Sequence, residues 1–175
     1  MKIFITGPAG SGKTTQAKML AEKLGLCYVS GGNVARKKAA EDSVEGRTVK
    51  EALEKGELVD NKIEGEAVKA TLQDASCRNG YVLDGYPRCL DQFNYFKPDF
   101  DVVFYLDVPD EEVTKRLLAR GRLDDIPKAI AERLQIFHQE TDDVINYFKN
   151  LGKVVKIDGS QSPDGVAAEI ERGLP

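Results

Sequence analysis

A chain of 175 residues can bury a substantial core and still carry a small insertion, so one domain is expected. Its 41% hydrophobic and 31% charged residues are ordinary for a soluble globular protein, and no apolar run is long enough to span a membrane. A net charge of −4 weighs against a nucleic-acid partner held by the overall field. It does not weigh against small nucleotides, because local arginines outweigh a diffuse negative background at short range.

The first two dozen residues organise the rest. Lys2 to Ile5 read as a short strand and Thr15 to Leu24 as a helix. Between them, Gly7-Pro8-Ala9-Gly10-Ser11-Gly12-Lys13-Thr14 fits G-x-x-x-x-G-K-[ST], the phosphate-binding loop. Its glycines let several N–H groups point at one anion, and the helix N-terminus adds partial positive charge there. Lys13 would reach β- and γ-phosphates, and the Thr14 hydroxyl would ligate Mg²⁺. The apolar run after Lys2 is cut short by Gly7-Pro8, so no secretory leader is read and the cytoplasm is the expected setting. Three scattered cysteines, Cys27, Cys77 and Cys89, form no C-x-x-C pair, and free buried thiols are expected rather than a disulfide or a zinc site.

A second strand spans Leu26 to Ser30. A polar block follows, with helices expected over Asn33–Ala40, Thr48–Lys55 and Lys62–Ala75 and breaks at Glu45-Gly46 and Gly56. Its first part buries little and reads as a small lobe. Tyr81 to Asp84 is a third strand, ending in Gly85-Tyr86-Pro87-Arg88 before a helix over Leu90–Phe96. Asp101 to Val108 is a near-continuous apolar run, as a buried parallel strand should be. A helix from Asp110 carries Glu111 and Glu112 in its first turn and Arg116 and Arg120 towards its end, an order that suits the helix dipole. Gly121 to Pro127 is a short loop. Lys128 to Lys149 is the longest helix, with Ile130, Leu134, Phe137, Thr141, Val144, Ile145 and Phe148 on one buried face. Lys153 to Ile157 is a fifth strand and Pro163 to Gly173 a last helix. Alternating strands and helices imply an α/β fold: an open parallel sheet covered on both faces, with ligands beyond the carboxyl ends of its strands.

Four pieces fall at those ends: the phosphate-binding loop, Asp84 to Arg88, the Gly31–Arg36 turn, and Arg116 to Arg133. Asp84 is placed like a carboxylate that holds the water shell of Mg²⁺, the alternative being a cap on the next turn. Arg36, Arg88, Arg116, Arg120, Arg122 and Arg133 form a second signal. A guanidinium matches phosphate bidentately and stays charged, although a lone arginine is most often only solvated surface. Asp124 and Asp125 could orient these arginines or cap the Lys128 helix. The single histidine, His138, is given no role. No carboxylate is set up to deprotonate an alcohol, so the acceptor read here is itself a phosphate.

These residues resemble adenylate kinases, within the P-loop nucleoside monophosphate kinases. The likeness runs nearly end to end: GPAGSGKTTQAKMLAEKLG, SGGNVAR, GELV, NGYVLDGYPRCLDQ, KRLLARGRLDD, Arg133 and KIDGS. It implies a three-layer α/β/α fold with a five-stranded parallel sheet of order 2-3-1-4-5. It also implies a mobile NMP-binding insertion over about residues 31–60 and a short lid over about 120–127. Gly10, Ser11, Gly12, Lys13, Thr14 and Thr15 would cradle the ATP phosphates, with Arg116, Arg120 and the Gln161 backbone serving the rest of ATP. Gly31, Arg36, Leu58, Val59, Gly85, Tyr86, Pro87, Arg88 and Gln92 would form the AMP site, Gln92 reading the adenine edge. Arg122 and Arg133 would bridge AMP and the moving phosphoryl group, so that Lys13, Arg88, Arg122 and Arg133 carry catalysis. The resemblance further implies ATP:AMP phosphotransfer with Mg²⁺, no zinc, no nucleic-acid or membrane partner, and a monomer.

Three departures stand out. Ser30-Gly31-Gly32-Asn33 replaces the family's usual S-T-G-D, which removes a hydroxyl that helps select AMP. Thr14 stands where the family commonly has Gly. Only Gly121 separates Arg120 from Arg122, which leaves no room for the cysteine-built zinc knuckle of the long lid. The alternatives are a kinase of the same fold acting on UMP, CMP or another monophosphate, and a module that senses nucleotides without catalysis. Asn61-Lys62-Ile63-Glu64 only superficially matches the guanine-reading N-K-x-D, since it lacks the aspartate and a preceding strand.

Overall fold

The structure is a computed structural model and describes residues 1–122 and 125–175. Strands β1 (Lys2–Thr6), β2 (Cys27–Ser30), β3 (Tyr81–Asp84), β4 (Val102–Asp107) and β5 (Val154–Asp158) pair in parallel in the order β2-β3-β1-β4-β5. Helices α1 (Lys13–Leu24), α2 (Gly31–Ala39), α3 (Val44–Lys55), α4 (Asn61–Leu72), α5 (Asp110–Arg120), α6 (Pro127–Ile136), α7 (Asp142–Asn150) and α8 (Pro163–Arg172) connect and cover them.

The pleat of β1 divides the core between two faces. Ile3 and Ile5 pack with Phe104 and Leu106 under Leu20 of α1 and Val166 and Ile170 of α8. Phe4 packs with Leu83 and Val103 under Val68 of α4 and Val144 and Phe148 of α7. Phe100, fully buried, stacks on Phe4 at 4.9 Å and meets Phe148 edge-on at 5.4 Å. The register sets Ile5 level with both Asp84 and Phe104, and Ser30 level with Asp84. The strands therefore finish side by side. The chain leaves β1 towards β2 on one side and reaches β4 on the other, which opens a crevice at the end of β1.

Helices α2 and α3 close over a small core of their own, built on Ala35, Val49 and Val59. Its far end touches the rest of the molecule where Gly56 lies against Ala129 of α6.

Several elements differ from the sequence reading. Glu45-Gly46 does not break a helix but lies in the first turn of α3, capped by the Ser43 hydroxyl, which accepts from the Gly46 N–H at 2.9 Å. Glycine is needed there because a Cβ would strike the Glu41 carbonyl oxygen. The same logic moves α2 forward to Gly31, capped by Ser30. Leu90–Asn94 is 3-10 rather than α-helix. The long helix expected over Lys128–Lys149 is α6 and α7 joined by a π-turn, Phe137–Thr141.

The expectation of three free thiols is overturned. Cys27 and Cys77 form a disulfide, and Cys89 alone is free and buried. Fifty residues separate the pair in sequence. Edge strand β2 and the turn after α4 bring them together, and that juxtaposition has no local signal. His138 sits exposed on the π-turn, its Nε2 3.0 Å from an Asp110 carboxylate oxygen. Among the described residues no helix is long and apolar enough to cross a membrane.

Because Phe100 packs against three aromatic rings, Phe4, Tyr81 and Phe148, Phe100→Ala should cost about 3–5 kcal/mol of folding stability. A urea melt with an unchanged slope and a lowered midpoint would show it.

Candidate active site

The crevice at the strand ends is a cavity of about 320 Å³. One end is the phosphate-binding loop. Gly12 caps α1 with its backbone in the left-handed region and offers no side-chain partner, and the first turn of α1 holds no acid. The N–H groups there are thus left for an anion. Gly10 has φ +87°, and a Cβ on it would lie 2.9 Å from Leu117 and from the Val113 carbonyl of α5, so the loop tolerates only glycine there. Lys13 reaches back to donate to the Pro8 carbonyl at 3.0 Å. Desolvation, together with the nearby arginines and against the pull of Asp84, lowers its amine to about 8. Thr14 and Thr15 line the cavity as expected, while Ser11 is buried beneath the loop.

Asp84 stands at the end of β3, buried yet on the cavity wall. It accepts from the Tyr28 hydroxyl at 2.8 Å and the Ser30 hydroxyl at 3.3 Å. Burial and this carboxylate push the Tyr28 phenol above its ordinary range. Tyr28 escaped the sequence reading, because only the β2–β3 register places it there.

All six expected arginines line the same cavity. The heads of Arg36, Arg88, Arg116, Arg120 and Arg133 are tethered rather than loose, and Arg122 is held by its backbone N–H. Arg36 donates to Asn33 Oδ1 at 2.7 Å and Arg88 Nε to the Gly85 carbonyl at 2.8 Å. Arg116 donates to Glu112 at 2.9 Å and to the Gly159 carbonyl at 3.1 Å. Asp125, its side chain fully buried, holds the remaining group. It takes both ends of Arg120 at 2.7 Å, the Arg122 N–H at 3.1 Å and Arg133 at 3.2 Å. Burial alone would raise the Asp125 pKa, but these donors override it and hold the carboxyl below its ordinary value. Asp124 lies outside the described residues, so its expected orienting or capping role stays with the sequence.

Of the residues expected at the AMP site, Leu58, Gly85, Pro87 and Arg88 line the cavity. The Tyr86–Pro87 peptide is cis. Other residues expected here stand behind the wall. Gly31 packs under the Gly85 carbonyl, and Val59 belongs to the small α2–α3 core. Tyr86 is buried and donates to the Phe96 carbonyl at 2.7 Å. Gln92 is buried and accepts the Arg88 N–H at 2.7 Å. Gln161, expected to serve ATP, is exposed and donates to Asp158 and Glu169. Two supports were not foreseen. Thr141, expected as one more apolar-face position, donates its hydroxyl to the Arg88 carbonyl at 2.8 Å. Glu64 of α4 accepts from Gln92 Nε2 at 2.9 Å. Its burial raises its carboxyl pKa, against the lowering influence of Arg88 and Gln92.

Asp125→Ala should lose about 1–3 kcal/mol at neutral pH. Arg120 is 34% exposed, so screening favours the lower figure. Because the folded pKa of Asp125 is depressed, its contribution is present above the ordinary carboxylate pKa and lost as pH falls through the folded value. Urea melts of both proteins across the acid range should therefore converge.

The comparisons with known proteins agree with this geometry. The family model for adenylate kinase matches residues 5–153. The adenylate kinase of Prochlorococcus marinus subsp. pastoris is 37% identical over 179 residues, covering 98% of this chain and 96% of the relative. That of Nocardia farcinica is 34% identical over 181 residues, with 99% of each chain covered. That of Ruminiclostridium cellulolyticum is 30% identical over 212 residues, again with 99% of each covered. A cavity with a phosphate loop at one end, arginines throughout, and relatives matched along the whole chain lead to one conclusion: this protein belongs to the adenylate kinase family.

Proposed function

We infer that the chain transfers the γ-phosphoryl group of ATP to AMP, giving two ADP. The observation that carries this is one cavity lined both by the phosphate loop and by Arg36, Arg88, Arg120, Arg122 and Arg133. A nucleotide-binding module alone would have no use for so many cations beyond the phosphate loop.

In this reading Gly10 to Thr15 cradle the ATP phosphates, while Arg116, Arg120 and the Gln161 backbone serve its other groups. Arg36 and Arg88 grip the AMP phosphate. Leu58, Val59, Gly31, Gly85, Tyr86, Pro87 and Gln92 form its pocket. Lys13, Arg88, Arg122 and Arg133 surround the phosphoryl group as it moves. An AMP phosphate oxygen attacks in line, and no base is needed because the nucleophile is already an anion. The protein contributes alignment and fixed positive charge. Thr14 and Asp84 share the cavity wall beside Lys13, and the buried Asp84 carboxylate suits a hard cation. These residues would hold Mg²⁺, Asp84 through water, and when bound the ion supplies further neutralisation of phosphate charge.

Residues 31–60 would act as a mobile insertion and about 120–127 as a short lid. Their closure would expel water that competes as acceptor. The reading carries with it a monomer at work in the cytoplasm on small-molecule substrates.

Lys13→Met and Arg88→Ala should each lower kcat/KM by about 10²-fold or more while leaving the circular dichroism spectrum unchanged. A coupled ADP assay with ATP, Mg²⁺ and each nucleoside monophosphate in turn tests the substrate. Fast turnover of UMP without AMP would replace this reading with its pyrimidine alternative.

A further inference from the structure

The first turn of α4 carries a carboxylate that the proposed chemistry does not use. Glu64 is 1% exposed. Its Oε2 accepts from Gln92, and its Oε1 has no hydrogen-bond partner among the described residues. Gln92 is fixed from both sides. Its oxygen takes the Arg88 N–H and its nitrogen gives one hydrogen to Glu64. An amide held this way cannot flip without losing both bonds.

A buried acceptor left without a donor costs about 1–3 kcal/mol, and more when it is charged. A carboxylate accepts only, so what would relieve Oε1 is an arriving N–H. The pair retains one N–H on Gln92 and the open oxygen of Glu64, a donor beside an acceptor. Adenine presents the complement: a ring nitrogen next to an exocyclic amine. The site's other departure points the same way. Gly31 stands where the resembling family carries a base-selecting hydroxyl, so this acceptor site lacks one polar contact and holds another in reserve.

We propose that Glu64 is a specificity-determining residue of the acceptor site, its free Oε1 accepting a hydrogen bond from the exocyclic amino group of the base. This rests on the reading above, in which Gln92 faces that base. A group that takes the second Gln92 N–H lies about 5 Å from Glu64 Oε2, because both partners share one nitrogen, and an amine beside that group can then span the rest of the way to Oε1. Arg88, on the cavity wall, supplies the positive charge that offsets part of the burial of the carboxylate.

The test crosses two acceptors with two proteins at saturating ATP. The acceptors are AMP and purine riboside 5′-monophosphate, which lacks the amine. The proteins are the wild type and Glu64→Leu. The wild type should prefer AMP, and that preference in kcat/KM should fall at least about tenfold in the variant, through the acceptor KM and with the ATP KM unchanged. A merely structural role would lower both acceptors alike, and an equal preference in the two proteins overturns the assignment. AMP turnover by the wild type with an unchanged preference sinks only the role of Glu64, whereas no AMP turnover sinks the kinase reading and this proposal together. If the variant loses turnover, the same ratio is read from calorimetric dissociation constants for the two acceptors.

Discussion

Crowding of positive charge is the constraint on which the rest of this structure depends. Lys13 and six arginines converge on one cavity of about 320 Å³. Two unit charges 4 Å apart repel by about 4 kcal/mol at the effective dielectric of a protein surface. Such a set would spread apart without local anchors. The anchors are backbone carbonyls at Pro8, Gly85 and Gly159 and side chains at Asn33, Glu112 and Asp125. Lys13, besides its bond to the Pro8 carbonyl, responds by a lowered pKa, to about 8. A polyanion entering this space would meet donors already oriented, so little reorganisation would remain to oppose its binding.

The sheet makes that convergence possible. Five parallel strands end on one side, and the break in direction after β1 leaves room beyond them. Every anchor but Asp125, which lies between α5 and α6, sits on a loop or helix that begins or ends at this edge. The hydrophobic clusters on the two faces fix the strands rigidly, and the cavity inherits that rigidity. The small core of α2 and α3, built on Ala35, Val49 and Val59, is separate from both, so the helix that carries Arg36 is held by fewer buried apolar residues than the sheet.

What the sequence made legible follows from how local each signal is. The phosphate loop, Asp84 and the arginines could be placed because strand ends and helix turns fix them within a few residues. The strand order followed from the family resemblance, and the hydrogen-bonded pairs reproduce it. What was not legible depends on register or on contact across the fold. Tyr28 and Cys27 sit on β2, and their partners lie about fifty residues away in the chain. Glu64 reads as one more polar helix residue until α4 packs against the turn that holds Gln92. Gly46 looks like a helix breaker because glycine usually is one, and only the approach of the Glu41 carbonyl explains its place inside α3.

The π-turn between α6 and α7 shows how these long-range supports act together. A regular helix over Pro127–Asn150 would keep one phase throughout. The wider turn at Phe137–Thr141 shifts that phase, and the Asp142 N–H reaches back to the Phe137 carbonyl. Thr141, buried, then points its hydroxyl at the Arg88 carbonyl, while Arg133 one segment earlier reaches the Asp125 cluster. Arg88 is thus gripped by its carbonyl, its N–H and its Nε, by three different parts of the chain. Misplacing a phosphate by an ångström can cost a hundredfold in rate, so a residue asked to position one benefits from being over-determined. The same rod that braces Arg88 also carries Arg133. Two arginines of the cavity wall are thus braced by one element, Arg88 through the Thr141 hydroxyl and Arg133 through its own place on α6.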